Sequence, residues 1–508
     1  MVRAAPVNSE KTANGANAKM ERITYYSTNN KAEKANFRQA FMNGLASNYG
    51  LYMFRRDSVP KLDMEAILAM KELKYHEIAY KVLAPFLRED INSADLKKIL
   101  ASAYDEKVIP VEIQNVTGKT YIAWLSKGPT YSFKDFAARF LGRTLEYFLK
   151  DEGKKRIVIV ATSGDTGGAV AAALHGLKQV SNIILYPRGN ISAQQRRQLT
   201  TLKGNIYAFE VNGDFDVCQA MAKRLLGDRD FARELFDDPN YLTSANSISL
   251  GRLLPQVVYP FYIYSRIAEN GEPVILSIPS GNFGDMMGTV IAREMGLPVT
   301  KILCGVNENA EFPEFLKTGK FNKKPTIQSP SSAMNVSNPS NFARLVDFYG
   351  GHIYDERDKN GRVTREGVMD IVPDLESMRK DLYSISVKNA DHYQAIKEVY
   401  EHYGIVIEPH GAVGWRTLDT YLQGKHNKLA AIYETAEPGK FPDDIKKAIG
   451  IIPDFPAGIK AQTRLKERIF SVTEAPDING EGSLILADKQ YEQVKQIIAE
   501  IFKENRCK

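Results

Sequence analysis

The sequence contains few cysteines, and their spacing excludes two common kinds of site. Cys218, Cys304 and Cys507 are the three cysteines of the 508-residue chain, and they form no C-x-x-C pair. No histidine lies near any of them in the sequence. We therefore expect no disulfide framework and no zinc or other metal site, and a reducing compartment, the cytoplasm, is the simplest interpretation.

The sequence also lacks long apolar runs and a strong charge of one sign. No apolar stretch approaches the roughly 20 residues that cross a membrane, and the N-terminus has no hydrophobic signal core. The 67 basic and 61 acidic residues leave a net charge of +6 that is spread along the whole chain. Without a dense basic run, we expect neither a membrane nor a nucleic-acid partner.

The chain does contain an alternation of helical patterns and short apolar runs. Periodic apolar positions predict helices over about 24–105. Farther along, β-branched runs separated by helical patterns predict strands at 156–162, 182–187, 205–211, 273–279, 301–307 and 428–434. Such an alternation is typical of parallel sheets covered on both faces, so the expected fold class is α/β.

The chain is too long for one hydrophobic core, and we predict a division into several parts. The predicted parts are a disordered leader (1–22), a mainly helical N-terminal domain (23–107), a large α/β domain (108–145 and 262–460), a small α/β domain (146–261), and a C-terminal extension with a terminal helix (461–508). Residues 310–385 are rich in Pro, Ser, Asn and charge and are expected to hold long loops. A monomer or a homodimer is expected.

Two glycine-bearing turns follow predicted strands and precede predicted helices. The first is "SGDTGG", residues 163–168, and the second is "SGNFGD", residues 280–285. Turns of this kind present backbone N–H groups and the positive end of a helix dipole, which suits an anion. Neither matches a P-loop or G-x-G-x-x-G. Glycines that merely permit tight turns are the alternative, but two such turns favour sites for a cofactor phosphate and a substrate carboxylate.

Lys134 stands where a loop becomes a predicted helix, in "GPTYSFKDFAARF". The helix dipole disfavours a permanent cation at this end. A surface ion pair is one explanation for such a lysine. The other is an amine with a lowered pKa, able to bind a phosphate-bearing aldehyde cofactor as a Schiff base. The two glycine turns favour the second explanation.

Nine blocks of the sequence resemble, in the same order, the motifs of the threonine synthase family. They are "GPTYSFKDFAARFLG", "ATSGDTGGA", "LYPRGNISAQQRRQLTT", "VNGDFDVCQAMAK", "NSISLGRLLPQ", "PSGNFGDMMG", "NENAEFPEFLKTG", "SNFARL" and "EPHGAVG". The match covers roughly residues 23–455. It implies a fold type II pyridoxal-phosphate enzyme, similar to the β subunit of tryptophan synthase, with two α/β domains of parallel-rich sheets and an N-terminal mainly helical domain.

The resemblance also implies roles for particular residues. Lys134 would bind pyridoxal 5'-phosphate covalently and act as general acid and base. The cofactor phosphate would lie against Ser280, Gly281, Asn282, Phe283 and Gly284. The substrate carboxylate would lie against Ser163, Gly164, Asp165, Thr166 and Gly167. Asp165 would also lie near the 3′-oxygen of the cofactor, and Thr435 would contact its pyridine nitrogen.

The reaction that the resemblance implies is the conversion of O-phospho-L-homoserine and water to L-threonine and phosphate. The substrate phosphate needs a cationic or donor-rich site. The candidates from the motif match are Asn246, Ser247, Arg252, Asn307 and Asn309. For Arg252 a structural ion pair is the alternative.

Five positions depart from the residues usual in the family. Lys127 replaces the histidine of His-Gly-Pro-Thr, and Ser249 in "NSIS" replaces the second asparagine of "NSIN". Ala310 stands where an aspartate usually follows "NEN". Asn335 replaces an aspartate, and Glu437 replaces a histidine. None touches Lys134 or the second glycine turn, so the departures bear on the substrate more than on the cofactor.

Three functional hypotheses follow. The leading one is a threonine synthase. The second is a related phospho-lyase or replacement enzyme that acts on another O-phospho amino acid. The third is a catalytically silent relative kept for binding, which would have no chemical need for Lys134.

Overall fold

The structure is a computed structural model, and it describes residues 22–238, 240–358, 363–480 and 482–504. The predicted leader therefore lies outside the described residues, except for residue 22, and so does Cys507. The predicted strands are all present, within two residues at each end.

The large sheet has six strands, and its four central strands are buried apolar segments. In spatial order the strands are Leu382–Ser386, Val299–Val306, Val274–Pro279, Ala430–Glu434, Thr120–Trp124 and Glu112–Thr117. All neighbours are parallel except the last pair, which forms an antiparallel hairpin. Helices cover both faces, and residues such as Ile275 and Leu276 alternate between two different hydrophobic clusters.

The small sheet has five parallel strands. In spatial order they are Ile469–Val472, Ile206–Val211, Val180–Pro187, Arg156–Ala161 and Leu242–Ser244. The first of these belongs to the predicted C-terminal extension, and the terminal helix Asp488–Glu504 packs against the same sheet through Val494 and Ile498. The extension therefore contributes an edge strand to the small sheet. The domain boundaries themselves stay a prediction.

The N-terminal region contains a sheet as well as the predicted helices. Its helices are Phe37–Asn43, Met64–Leu68, Tyr75–Leu87 and Ser93–Ala103. Its three antiparallel strands are Tyr25–Ser27, Asn30–Ala35 and Tyr52–Phe54. The short strands lack the length that gives a clear periodic pattern, which explains why the sequence indicated helices alone.

The remaining helices connect the strands and close the two domains. They are Lys134–Glu152, Asp165–Leu174, Ala193–Thr200, Phe215–Gly227, Arg229–Phe236, Leu250–Leu253, Val258–Ile267, Gly284–Glu294, Glu311–Thr318, Phe342–Phe348, Leu375–Asp381, Asn389–Tyr403, Pro409–Leu422, Pro442–Ile449 and Ala457–Gln462. In the described part of the chain, no helix is both long and apolar enough to span a membrane.

Residues 310–385 are more ordered than the sequence indicated. This stretch holds three of the helices above and the hairpin His352–Arg357 with Val363–Ile371. The hairpin strands are only half-buried, so their side chains show no apolar alternation. A second small hairpin joins Asp477–Ile478 to Leu484–Ile485. The expectation of long loops holds for residues 319–331.

Candidate active site

A cavity lies at the carboxyl ends of strands from both sheets, where parallel sheets bind ligands. The second glycine turn follows Val274–Pro279, the first follows Arg156–Ala161, and Thr435 follows Ala430–Glu434. The cavity is lined by Phe133, Lys134, Ala137, Ala161, Ser163, Thr166, Phe215, Asn246, Ser247, Arg252, Gln256, Pro279, Gly281, Asn282, Phe283, Gly284, Asp285, Ala333, Met334, His410 and Thr435. Most of the residues predicted from the sequence therefore line one cavity.

Lys134 is the first residue of the helix Lys134–Glu152 and points into this cavity. No side chain caps this helix start. The side chain is 15% exposed, and its Nζ lies 3.7 Å from Oδ2 of Asp165. It also lies 4.8 Å from the centre of the Phe133 ring. The loose ion pair places the amine within the cavity rather than at the protein surface.

The surroundings of Lys134 favour the neutral amine. Burial lowers the pKa of Lys134, and the cations Lys440 and Arg252 lower it further. The carboxylates of Asp165 and Asp285 act in the opposite direction but do not cancel the effect. A neutral amine is the form that attacks a carbonyl and removes a proton.

The loop before Lys134 is held by the residue after it. Both oxygens of the buried Asp135 carboxylate accept hydrogen bonds from Thr130, one from its amide at 2.8 Å and one from its hydroxyl at 2.7 Å. A Cβ on Gly128 would lie 2.5 Å from Asp135 Oδ2, so only glycine fits there. Burial raises the pKa of Asp135 to about 6, against the opposing effect of the Thr130 hydrogen bonds. These contacts explain why Gly128 and Thr130 stand at the start of the loop and why Asp135 follows Lys134 at its end.

Asp165 is the charged centre of the first glycine turn. It is the first residue of the helix Asp165–Leu174, and its Oδ1 accepts hydrogen bonds from Lys440 Nζ at 2.5 Å and Gln195 Nε2 at 3.1 Å. Burial by itself would raise the pKa of Asp165, but Lys440, Lys134 and His410 outweigh burial and lower it. The carboxylate is therefore ionised, next to two lysines.

The first glycine turn is shaped by Thr162. Its hydroxyl accepts hydrogen bonds from the amides of Gly164 at 2.9 Å and Gly167 at 2.8 Å. Gly164 has φ +126°, and a Cβ there would lie 2.4 Å from the Gln195 side chain. The amides of Gly164 and Gly167 are therefore engaged. The amides of Asp165 and Thr166, at the start of the helix, have no intrahelical acceptor and are available to an anion.

The second glycine turn is a tight backbone cradle. Phe283 adopts a left-handed conformation with φ 60° at the N-cap of the helix Gly284–Glu294. A Cβ on Gly281 would lie 2.9 Å from the carbonyl oxygen of Ala333, and one on Gly284 would lie 2.6 Å from Gln256 Nε2. Ser280 is buried, and its amide donates to Gly305 at 2.9 Å. The turn thus brings backbone amides to the helix start with no room for side chains.

Arg252 is a buried cation that faces the cavity without a carboxylate. Its Nη1 donates to the carbonyl of Ala245 at 2.7 Å, and its Nε has no partner among the described residues. No carboxylate lies within 4.0 Å of it in the part of the chain that the structure describes. Burial lowers the pKa of Arg252 to about 10, despite Asp135. The structural ion pair considered as the alternative is therefore not formed within the described residues.

Other predicted residues divide into those that line the cavity and those that support it. The side chain of Asn246 bonds to the backbone of Ala161 through both its oxygen and its nitrogen, although it also lines the cavity. Ser247 and Thr435 line the cavity, and the carbonyl of Thr435 accepts a hydrogen bond from the Phe133 amide at 2.9 Å.

Asn307 and Asn309 do not line the cavity. Nδ2 of Asn307 donates to Asn335 Oδ1 at 2.9 Å, and Oδ1 of Asn307 accepts from Asn309 Nδ2 at 2.8 Å. Asn309 also exchanges hydrogen bonds with the backbone of Ile327. These two asparagines hold the loop that carries Ala333 and Met334 to the cavity. Their role in substrate binding stays a prediction, and their contacts are those of supporting residues.

Two of the five departures from the family pattern contact each other. Lys127 Nζ lies 3.0 Å from Glu437 Oε2, and the side chains are 27% and 21% exposed. Ser126 donates to the same oxygen at 3.3 Å. Neither Lys127 nor Glu437 lines the cavity. An ion pair thus occupies the two positions at which the resemblance implies histidines, and the charge of Glu437 is matched by that of Lys127.

We expect the Lys127–Glu437 pair to contribute about 0.5–1 kcal/mol to the free energy of unfolding. Lys127→Met and Glu437→Gln should each destabilise the protein, and the double variant should lose less than the sum of the two. Urea unfolding of the four proteins measures this coupling. A coupling of zero, or a change in substrate KM in either single variant, would contradict the account.

The other three departures lie away from the cavity lining. Ser249 is the N-cap residue of Leu250–Leu253, and Ala310 precedes the helix Glu311–Thr318. Asn335 donates to Gln328 Oε1 at 3.0 Å within the loop that Asn307 supports. An amide serves this network as a donor, which an aspartate at the same position would not do when ionised.

His410 and Lys440 are among the residues at the site that were not assigned from the sequence. His410 lines the cavity, and its Nε2 accepts a hydrogen bond from the Ala333 amide at 3.1 Å while Nδ1 bonds to Glu408 at 2.5 Å. Lys440 pairs with Asp165 from a distance of 275 residues along the chain. His410 stands in the block "EPHGAVG" that resembles a family motif, but for both residues only the spatial partners reveal the contacts.

The residues present fit pyridoxal phosphate. A buried lysine with a lowered pKa provides the amine for the aldehyde. The backbone cradle around Gly281 and Gly284, which a Cβ would fill, provides amides for a phosphate. Thr435 lines the same cavity, and its hydroxyl would be a neutral partner for the ring nitrogen.

Comparison with known proteins agrees with this fit. The family model described as "Threonine synthase N terminus" matches residues 24–104, and that described as "Pyridoxal-phosphate dependent enzyme" matches residues 119–362. The chain is 33% identical to the threonine synthase of Pseudomonas aeruginosa over 464 residues, covering 88% of this chain and 95% of that relative. It is also 33% identical to that of Saccharomyces cerevisiae, covering 89% of this chain and 95% of the relative.

Solved structures give the same result. The crystal structure of threonine synthase from Escherichia coli matches with a TM-score of 0.80 and 30% identity, covering 94% of this chain and 99% of that one. The pyridoxal-phosphate-bound threonine synthase from Brucella melitensis matches with a TM-score of 0.78 and 27% identity, covering 94% of this chain and 99% of that one. The chain belongs to the threonine synthase family of pyridoxal-phosphate-dependent enzymes.

Proposed function

We propose that this protein converts O-phospho-L-homoserine and water to L-threonine and phosphate, with Lys134 as its catalytic residue. The observation that carries the proposal is the pairing of two features in one cavity. Lys134 presents an amine with a lowered pKa, and Arg252 presents a buried guanidinium that no carboxylate neutralises among the described residues. The first suits an aldehyde cofactor, and the second suits an anionic substrate.

Pyridoxal phosphate, when bound, supplies the electron withdrawal that makes the protons near the substrate amine acidic. The chain supplies its orientation. The turn from Ser280 to Gly284 would hold its phosphate, Lys134 its aldehyde carbon and Thr435 its ring nitrogen. A hydroxyl at the ring nitrogen does not protonate it, which favours elimination and replacement over transamination.

The remaining polar groups would bind and orient the substrate. The amides of Asp165 and Thr166 would receive its carboxylate at the start of a helix, where the dipole favours an anion. Arg252 would bind its phosphate, with Ser247 beside it. The neutral Lys134 amine would remove a proton from the substrate α-carbon and, once protonated, return one. Burial of the cavity excludes water from these charges and strengthens their effect.

The enzyme is proposed to act in the cytoplasm, as a monomer or a homodimer. Cys218 and Cys304 support the compartment because both are buried free thiols, as in proteins of a reducing environment. A phospho-lyase acting on another O-phospho amino acid is the alternative activity, because a reactive lysine and a buried cation such as Arg252 would also suit another phosphoester.

Product analysis tests the proposed activity. The purified protein is loaded with pyridoxal phosphate and given O-phospho-L-homoserine, and phosphate and threonine are measured together over time. We expect one threonine for each phosphate released. Phosphate release with 2-oxobutanoate and ammonia instead of threonine would establish a lyase, and the absence of both products would refute catalysis on this substrate.

A further inference from the structure

Lys440 is a second lysine in the charge cluster around Lys134. Its side chain is fully buried, and its Nζ lies 2.5 Å from Asp165 Oδ1. The same Nζ donates to the carbonyl oxygen of Thr130 at 3.1 Å. Lys440 does not line the cavity, so it acts on the site through these two contacts.

Lys440 joins parts of the chain that belong to different sheets. It ends the short helix Pro438–Lys440, which follows the large-sheet strand Ala430–Glu434, whereas Asp165 follows a strand of the small sheet. Two glutamines of the helix Ala193–Thr200 bond to the same two oxygens: Gln195 to Asp165 Oδ1 at 3.1 Å and Gln198 to Thr130 at 3.0 Å. The position of the Asp165 carboxylate is thus fixed from two sides.

The two oxygens of Asp165 face different lysines. Oδ1 contacts Lys440 at 2.5 Å, and Oδ2 lies 3.7 Å from Lys134 Nζ. The shorter contact, with better geometry and complete burial, is the one to Lys440. If Lys440 were absent, Lys134 would be the only cation within 4.0 Å of this buried carboxylate among the described residues.

We propose that Lys440 is a positioning residue that neutralises and holds Asp165, so that the Lys134 amine is released from a tight ion pair and free to react. The proposal rests on the catalytic role proposed for Lys134. A tight pair with Asp165 would keep Lys134 protonated and unable to attack a carbonyl. Lys440 prevents that pair by taking the carboxylate itself.

The charges around Lys134 agree with this division. The charged groups that act on it are Asp165, Lys440, Asp285 and Arg252, and among the described residues Asp165 is the carboxylate within 4.0 Å of its Nζ. Lys440 lowers the pKa of Lys134, and only burial and Asp165 have larger effects on it. Removing the charge of Lys440 must therefore favour the protonated form of Lys134.

Trace acetylation at different pH values tests the proposal on the full-length protein freed of cofactor. The rate at which acetic anhydride labels Lys134, measured by peptide mass spectrometry against an internal standard, gives the midpoint at which this amine loses its proton. We expect Lys440→Met and Lys440→Gln each to raise the midpoint by about one pH unit or more. Asp165→Asn should lower it, because it removes the nearest anion.

The choice of variants separates the electrostatic role from a structural one. Lys440→Gln keeps a donor for the Thr130 carbonyl. In both Lys440→Gln and Lys440→Met, Asp165 stays paired with Lys134, so neither variant creates an unpaired buried anion. Lys127→Met is the matched control, because it removes a partly buried lysine of the same region that has no contact with Asp165. Circular dichroism verifies that each protein is folded.

The outcomes are distinct from those of the product assay. A raised midpoint in Lys440→Gln, with no change in Lys127→Met, supports the positioning role even if the product were not threonine. A midpoint in Lys440→Gln that is unchanged or lower than in the unmodified protein overturns it. An equal rise in Lys127→Met also overturns it, because the effect would then not depend on contact with Asp165.

Discussion

Lys134→Ala is expected to abolish both the visible absorbance of bound pyridoxal phosphate and turnover, with a loss of at least about 10³-fold in rate. The reason is that the amine serves twice, as the point of attachment and as the acid and base. Absorbance of the purified protein at visible wavelengths and a phosphate-release assay measure the two effects.

The variant should remain folded. Asp165 keeps its 2.5 Å contact with Lys440, so the substitution leaves no buried carboxylate without a cation. Lys150→Ala is the matched control, since Lys150 lies exposed in the last turn of the same helix. Turnover within tenfold of the unmodified enzyme in Lys134→Ala would refute the assignment.

Arg252→Met is expected to raise the KM for the phosphorylated substrate about 100-fold while leaving the absorbance of the bound cofactor unchanged. A 100-fold change corresponds to about 2.8 kcal/mol, and a charge-assisted hydrogen bond to a buried anion contributes about 1.5–3 kcal/mol, so one such bond from the guanidinium accounts for the effect. Steady-state kinetics measures the change. Inhibition by inorganic phosphate should weaken in parallel, which distinguishes a phosphate site from a carboxylate site.

A second buried arginine provides the control for Arg252. Among the described residues no carboxylate pairs with Arg344 either, but its guanidinium donates to the carbonyls of Tyr52, Ser247 and Ile248 and to Asn341. Arg344→Met should therefore lower the melting temperature and leave inhibition by phosphate unchanged. Unaltered phosphate inhibition in Arg252→Met would mean that the substrate phosphate binds elsewhere.

Local patterns account for what the sequence predicted correctly. The apolar strands, the two glycine turns and Lys134 each depend on a few adjacent residues, whose backbone requirements and apolar character are visible in the sequence. Because parallel strands end at one edge of a sheet, the turns that follow them could be expected to meet. Gly281 and Thr435, which follow strands of the large sheet, meet in this way, whereas Ser163 reaches the same cavity from the small sheet.

Contacts between distant residues account for what the sequence did not predict. Lys127 and Glu437 were identified as separate departures, but their pairing spans 310 residues. The contact of Lys440 with Asp165 is similar, because a lysine in a loop carries no local mark of its partner. Asn307 and Asn309 were assigned by motif alone, and only their hydrogen bonds reveal them as supports for a neighbouring loop.

Short or half-buried strands were the main elements that the sequence did not indicate. Ile469–Val472 has four residues, too few for a clear periodic pattern, and only its last residue, Val472, is fully buried. It becomes a strand because the edge of the small sheet offers unpaired backbone groups beside Ile206–Val211. Tertiary pairing, rather than residue preference, decides such elements.

The most direct test of the account is the identification of the lysine that binds the cofactor. Two lysines lie within 4.0 Å of Asp165, and the proposed mechanism assigns the cofactor to only one of them, Lys134. The loaded enzyme is treated with borohydride, digested and mapped by mass spectrometry. The account predicts a pyridoxyl-phosphate group on Lys134 and none on Lys440. Attachment to Lys440, or no covalent attachment, would contradict it.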